Sequence, residues 1–246
     1  MNTTSKTAIV TGGSGGIGKA ISLRLAQDGF AVALNYIGNR EQADRTVADI
    51  KGMGGNALAV QGDVGNVEDM ERLFDTARET FGGVDVVVNS AGIMPMVPIQ
   101  EADMDAFDRV INVNLRGTFI VLGLAAKRLE RGGRIIALSS SVIALAYPGY
   151  GPYIASKAGV EGLVRVLANE MRGRGISVNA IAPGPIGTDL FLKGKTEEQI
   201  ARISSLAPLE PRLGTPDEIA ATVSFLAGPD GTWVNAQVLR VNGGVA

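Results

Sequence analysis

Two hydrophobic periods alternate along this chain. Seven short runs are apolar at most positions: 7–10, 31–35, 57–61, 84–88, 134–138, 176–181 and 238–241. Runs of that length, rich in Val, Ile and Ala and without strict in–out alternation, predict strands buried on both faces. Between them apolar residues recur every three to four positions, as Ile17, Ala20, Ile21 and Leu25 do before Asp28-Gly29 stops the pattern. That spacing predicts amphipathic helices over 17–27, 39–53, 67–81, 102–129, 152–173 and 216–227, with a Pro- and Gly-rich excursion at 182–214. The expected fold is α/β: a doubly wound parallel sheet of about seven strands with helices on both faces. No linker or composition break interrupts residues 1–246, so a single domain is expected.

The first strand–helix junction, Thr11-Gly-Gly-Ser-Gly-Gly-Ile-Gly18, adds chemistry to the pattern. Strand, glycine turn, helix and strand in about thirty residues make the βαβ unit of a Rossmann fold. Gly12, Gly16 and Gly18 permit a tight turn, close approach of a pyrophosphate and close packing of helix on strand. The helix N-terminus offers free N–H groups to the phosphates. Asp63, Asn89–Gly92, Ser139–Ser141 and Pro183–Thr188 also fall at carboxyl ends of expected strands, the edge where such sheets bind ligands. Tyr153 and Lys157 are four residues apart in an expected helix, hence on one face. A phenol with its ordinary pKa of about 10 is a poor acid near neutrality, and an adjacent ammonium would lower it. Ser140, at a strand end, is placed to return across the loop to the reacting oxygen.

Composition narrows the chemistry. The chain has no Cys and no His, which excludes disulfides, thiolate metal sites, Ser-His-Asp triads and imidazole ligands. No metal is expected, and proton transfer must use Tyr, Lys, Asp or Glu. A net charge of −2 argues against nucleic-acid binding. The N-terminus lacks the apolar core of a signal peptide and no run is expected to span a membrane, so a cytoplasmic protein without membrane contact is expected.

From Thr11-Gly-x-x-x-Gly-Ile-Gly18 to Val241-Asn-Gly-Gly244 the chain resembles the short-chain dehydrogenase/reductase family. The segments Arg212-Leu-Gly-Thr-Pro-Asp-Glu-Ile219 and Phe225-Leu-Ala look most like 3-oxoacyl-[acyl-carrier-protein] reductases and their relatives. The family tetrad appears in order as Asn114, Ser140, Tyr153 and Lys157. The resemblance implies that Tyr153 exchanges a proton with a carbonyl or alcohol oxygen while hydride passes between nicotinamide and substrate carbon. It implies that Lys157 lowers the Tyr153 pKa and binds the nicotinamide ribose. Ser140, preferred to Ser139 and Ser141 by its family spacing to Tyr153, would polarise the carbonyl. Asn114 would hold a water that links Lys157 to solvent. Cofactor contacts implied in the same way are Gly12, Ser14, Gly16, Ile17 and Gly18 at the turn, and Asp63 and Val64 at the adenine. Asn89, Ala91 and Gly92 would meet the adenosine ribose, and Pro183, Gly184, Ile186 and Thr188 the nicotinamide amide and phosphates.

NAD-specific relatives carry an acid at the end of the second strand; here Asn35 and Tyr36 stand there, with Arg40 close behind to pair with a 2′-phosphate. Against this, Gly15 occupies a position where many NADP-using relatives have Arg or Lys. NADP is favoured over NAD. Three further departures are Ser90 for a usual Asn, Ala236 for a usual Gly and Asn242 for a usual Asp. The expected substrate loops carry Met94, Met96, Val97, Ile143, Leu145, Tyr147, Tyr150, Phe191 and Leu192, which suit an apolar carbonyl compound or alcohol. Arg131 and Arg174 align with positions where carrier-protein reductases meet acyl carrier protein, so a carrier-linked substrate is one expectation. Small residues at Ala155, Ala158, Gly159 and Gly162 sit on the helix that the family pairs in its usual homotetramer. Related enoyl reductases separate Tyr and Lys more widely, which favours carbonyl reduction. The alternatives are oxidation of a sugar, polyol or steroid alcohol, or a catalytically silent NADP-binding sensor. A methyltransferase shares the glycine turn but gives Tyr153 and Lys157 no role.

Overall fold

The computed structural model describes residues 6–246. Strands β1 (Thr7–Thr11), β2 (Ala31–Tyr36), β3 (Ala57–Gln61), β4 (Val86–Asn89), β5 (Arg134–Leu138), β6 (Ser177–Pro183) and β7 (Val238–Val241) pair in parallel in the order β3-β2-β1-β4-β5-β6-β7. The order reverses at β1, which has β2 on one side and β4 on the other. Val10 is in register with Leu34 of β2 and Val88 of β4. Adjacent strand ends diverge there, and a crevice opens above them.

Helices cross between strands: α1 (Gly16–Gln27), α2 (Arg40–Gly52), α3 (Val67–Phe81), α4 (Met104–Val110), α5 (Gly117–Arg128), α6 (Val142–Leu145), α7 (Gly151–Glu170), α8 (Asp189–Leu192), α9 (Glu197–Ser204) and α10 (Pro216–Ala227), of which α1, α2, α3, α7 and α10 are as the periodicity predicts. The period-2 alternation hidden in the apolar strands now has a direction. Ile9, Ala33, Val87, Ile135 and Val178 face Leu73, Phe74, Val121, Val160 and Val164 of α3, α5 and α7. Ala8, Val10, Val32, Leu34, Val88 and Ile136 face Ile21, Leu25, Ile50, Ile219 and Val223 of α1, α2 and α10. Asn39 caps α2, accepting from the Gln42 amide at 2.9 Å, and Thr215 and Glu218 form a reciprocal capping box on α10.

Three expectations are corrected. The single helix foreseen over 102–129 is broken into α4, a π-helical turn Ile111–Arg116 and α5, and the Gly117 N–H reaches five residues back to the Asn112 carbonyl. The stretch Met104–Arg128 is also long and apolar enough to cross a membrane by composition, contrary to the expectation that no run would be. It packs instead on the sheet, burying Val110, Val121, Leu122 and Ala125. The excursion 182–214 contains α8 and α9, the latter started by a Thr196–Gln199 capping box. Its brevity hides it from a periodicity reading.

The two departures near the C-terminus have visible consequences. Ala236 sits at φ +58°, the left-handed region where a side chain is strained and glycine is not. Asn242 donates to Ser141 Oγ at 3.0 Å and to the Ala246 carbonyl at 3.0 Å, and its Oδ1 accepts from the Gly244 amide. The amide thus ties the C-terminal segment to the serine-rich end of β5.

Candidate active site

The glycine turn closes against itself. A Cβ on Gly18 would lie 2.1 Å from the Gly12 carbonyl oxygen, and Gly12 itself holds φ +63°. No other residue fits either position without moving the turn. The N-terminus of α1 has no side-chain cap and no acid in its first turn, so its leading N–H groups remain available to an anion. Behind the turn, Thr11 Oγ1 donates to Asn89 Oδ1 at 2.8 Å and accepts from the Ser90 and Ala91 amides at 3.1 and 3.2 Å. Asn89 Nδ2 donates to Thr118 Oγ1 at 2.7 Å, and Thr118 donates to the Asn114 carbonyl at 2.6 Å. Asn89 is therefore a buried brace that sets the strand ends; its side chain is engaged within the protein.

A cavity of about 390 Å³ opens over these ends. It is lined by Gly12, Gly16, Ile17, Gly18, Ala91, Gly92, Ser140, Tyr153, Lys157, Pro183, Gly184, Ile186 and Thr188, thirteen residues singled out in the sequence. Thr188, the cap of α8, stands opposite the glycine turn: a Cβ on Gly16 would lie 3.6 Å from its methyl. An uncapped helix N-terminus, an acid-free glycine cradle and a cavity that runs from that cradle to Tyr153 and Lys157 fit a dinucleotide with its pyrophosphate on the turn. Such a cofactor would supply or accept a hydride; the chain supplies the proton.

Tyr153 is the cavity hydroxyl placed to hold such a proton. Tyr153 and Lys157 lie one turn apart on α7, both buried, with Lys157 Nζ 5.8 Å from the phenol ring centre. The three serines at the end of β5 are sorted by geometry. Ser139 donates to Glu161 at 2.8 Å and Ser141 donates to the Ala182 carbonyl at 2.9 Å. Ser140 Oγ accepts from the Val142 amide at 3.3 Å and is the serine hydroxyl that acts on the Tyr153 phenol, drawing its pKa down. The expected lowering of the Tyr153 pKa by Lys157 is not what the site shows. Burial pushes the phenol up to about 12, opposed by the Ser140 hydrogen bond and reinforced by Tyr150. Burial also lowers Lys157 to about 8, and its ammonium donates to the Leu138 carbonyl at 2.7 Å. A phenol that keeps its proton at neutral pH is ready to donate it, and the nearby ammonium can stabilise the phenolate left behind.

Asn114 is fully buried inside the π-helical turn. Its Oδ1 accepts from the Ile93 amide at 2.9 Å, and its Nδ2 donates to the Ile93 carbonyl at 2.9 Å and to Ser156 Oγ at 3.2 Å. The side chain thus clamps the loop after β4 to α7, below Gly92 and Lys157. It does not line the cavity.

Six other residues singled out for the cofactor lie outside the cavity lining. The Ser14 carbonyl accepts from Thr46. Asn35 Nδ2 is engaged by the Gly62 carbonyl at 2.9 Å and the Val60 carbonyl at 3.3 Å, and Tyr36 is buried in the core beside α1 and α2. Arg40 is 81% exposed and pairs with Asp44. Asp63 Oδ1 accepts from the Gly65 amide, facing a separate surface hollow, and Val64 packs against Gly117. Sequence reasoning missed Gln42 and Leu190, which do line the cavity, while Val142 and Ile203 line it from within two expected substrate loops, 142–152 and 191–211. In the sequence Gln42 has the look of a solvated helix position, and α9 is invisible to periodicity. Met94, Leu145, Tyr147, Tyr150 and Phe191 line the cavity as expected, but Met96 is exposed, and Val97, Ile143 and Leu192 stand outside. Arg174 is no free surface cation: its guanidinium donates to the Ala126 and Leu129 carbonyls at the end of α5.

A pyrophosphate cradle and a buried phenol–hydroxyl–ammonium group sharing one cavity define a nicotinamide-dependent oxidoreductase. A family model described as enoyl-(acyl carrier protein) reductase matches residues 12–246. The NADPH-dependent aldehyde reductase-like protein of Arabidopsis thaliana chloroplasts is 41% identical, covering 97% of this chain and 93% of the relative. A 3-oxoacyl-[acyl-carrier-protein] reductase of Staphylococcus aureus is 39% identical, with 98% of each chain covered. A short chain dehydrogenase of Burkholderia cenocepacia, solved in complex with NADP, is 36% identical with a TM-score of 0.92, covering 98% of this chain and 97% of that one. The chain belongs to the short-chain dehydrogenase/reductase family.

Proposed function

We propose that this protein reduces an apolar ketone or aldehyde with NADPH, a 3-oxoacyl thioester being one such substrate. The observation that carries the reading is the convergence of Ser140 and the protonated Tyr153 phenol on one point of an apolar cavity. Two hydroxyls at one point suit a carbonyl oxygen, whereas an enoyl carbon needs no second donor. The absence of an acid at the end of β2, and relatives named for NADP or NADPH, support NADPH. A homotetramer is proposed as the assembly: Ala155, Ala158, Gly162 and Val166 form an exposed stripe along α7, beside the exposed Phe119 of α5.

The test follows nicotinamide absorbance with NADPH or NADH and a 3-oxoacyl thioester, an apolar ketone or an aromatic aldehyde, for wild type and Tyr153→Phe. Faster oxidation of NADPH by wild type, lowered about 10²–10⁴-fold in Tyr153→Phe with nucleotide binding retained, is the expected outcome. Turnover that survives the substitution undiminished would remove Tyr153 from its role.

A further inference from the structure

We infer that Gln42 is the residue that reads the 2′ substituent of the adenosine ribose, its side-chain Nε2 donating to the 2′-phosphate of NADP. The inference rests on the NADPH reading above and assigns the residue responsible.

Gln42 belongs to the first turn of α2, yet it shares the cavity with the glycine turn. Its amide lies directly over Gly15: a Cβ there would be 2.9 Å from Nε2 and 3.4 Å from Cδ. Where relatives carry a long cation rooted at position 15, this chain has an empty position and an amide reaching across from the neighbouring helix. The backbone beneath that amide is fixed on two sides. The Gln42 N–H is held by the Asn39 cap at 2.9 Å, and Thr46 Oγ1 donates to the Gln42 carbonyl at 3.0 Å and to the Ser14 carbonyl at 3.3 Å. Among the described residues, no hydrogen bond is made by the Gln42 side-chain amide itself. A half-buried, unpartnered amide at the rim of a ligand cavity, on an anchored backbone, has its donors free for a ligand.

The competing residues are engaged elsewhere. Arg40 pairs with Asp44 at 3.5 Å on the outer side of α2, and Asn35 holds two backbone carbonyls inside the sheet edge. Lys19, another cation near the turn, pairs with Asp49 at 2.8 Å. Among the described residues the 2′ position is therefore left to a neutral donor, the two nearby cations being paired. An amide N–H to a phosphate oxygen is a charge-assisted hydrogen bond, and Oε1 of the same group can accept from the 2′-hydroxyl of NAD. Preference for NADP should accordingly be moderate and should respond to the charge at position 42.

Calorimetric titration of the intact protein with NADP⁺ and NAD⁺ tests this without requiring turnover. Gln42→Ala is expected to weaken NADP⁺ by about tenfold, the loss of one hydrogen bond to a charged group, and NAD⁺ by less than about threefold. Gln42→Glu should weaken NADP⁺ further, by placing a like charge at the phosphate, and leave NAD⁺ binding intact. Gly15→Arg should push the amide aside and tighten NADP⁺. Position 42 is a helix position with no core contact at its amide, so thermal midpoints of both Gln42 variants should stay near wild type. Unchanged NADP⁺ affinity in Gln42→Ala and Gln42→Glu overturns the assignment, and a selective loss of NADP⁺ in Arg40→Ala hands the role to Arg40. Wild type binding NAD⁺ far more tightly than NADP⁺ would sink the cofactor reading itself, a result visible before any variant is made.

Discussion

At the scale of single residues, the site is governed by desolvation. Tyr153 and Lys157 sit side by side in a region that disfavours charge on either, so burial raises one and lowers the other, to about 12 and about 8. The sign fixes the pH dependence. Lys157 carries its charge below about 8 and loses it above, whereas an unperturbed lysine would stay charged to about 10.4. Because phenolate left after proton donation is stabilised by that charge, kcat/KM for reduction should fall as pH rises through about 8. Measuring the profile checks this, and in Lys157→Met the residual rate should lose that limb. A wild-type profile flat to pH values near the ordinary lysine range would contradict it. The tyrosine limb lies too high to interfere.

At the scale of elements, two local irregularities mark where the chain departs from ideal helix and strand. The π-helical turn Ile111–Arg116 inserts an extra residue per turn and directs Asn114 into the interior, where it clamps Ile93. The other is Ala236, strained at φ +58° just before β7. Relieving left-handed strain is worth roughly 1–2 kcal/mol, and glycine returns part of that as chain entropy in the unfolded state. Ala236→Gly should therefore raise stability by about 0.5–1 kcal/mol, read as a higher denaturation midpoint with unchanged m-value. The backbone is already held in place by the bond from the Ala236 amide to the Val178 carbonyl at 2.9 Å, so the fold need not move.

At the scale of the whole molecule, apolar surface is unevenly placed. Phe119 is 64% exposed and Val166 58%, on neighbouring helices of one face, while Trp233 is 97% exposed near the C-terminal end of the chain. Exposed apolar area of that kind marks association sites. Gly159, although part of the small-residue pattern on α7, is needed within its own chain, because a Cβ there would come within 2.8 Å of Leu115. The stripe available to a second copy is Ala155, Ala158, Gly162 and Val166. Sedimentation equilibrium should show four copies for wild type and fewer for Val166→Asp combined with Phe119→Asp. A wild-type monomer would end the tetramer proposal.

The fold and the chemical identity of the site were legible because each depends on a short-range pattern. Apolar runs separated by amphipathic stretches can close only as a covered parallel sheet, the glycine spacing Gly12, Gly16, Gly18 marks a phosphate turn, and a four-residue interval puts Tyr153 beside Lys157 on any helix. What depended on long-range packing was not legible. As residues the three adjacent serines are equivalent, and only the family spacing singled out Ser140; the physical reason appears in the packing, where Glu161 and Ala182 draw off Ser139 and Ser141 and leave Ser140 to the phenol. Lowering of the Tyr153 pKa by Lys157 was a pairwise expectation, and only the assembled site shows burial raising it instead. Asn35 and Arg40 stand at and just after the end of β2, but hydrogen bonds to the β3 edge and an ion pair with Asp44 turn them away. Gln42, unremarkable as a letter, comes to the turn because α2 packs against α1 and leaves its amide over Gly15, which has no side chain to fill the space. Sequence determines which groups a chain owns and which neighbours it brings within a helical turn; which of them face the same cavity is decided by packing, because burial and partner choice are properties of the whole.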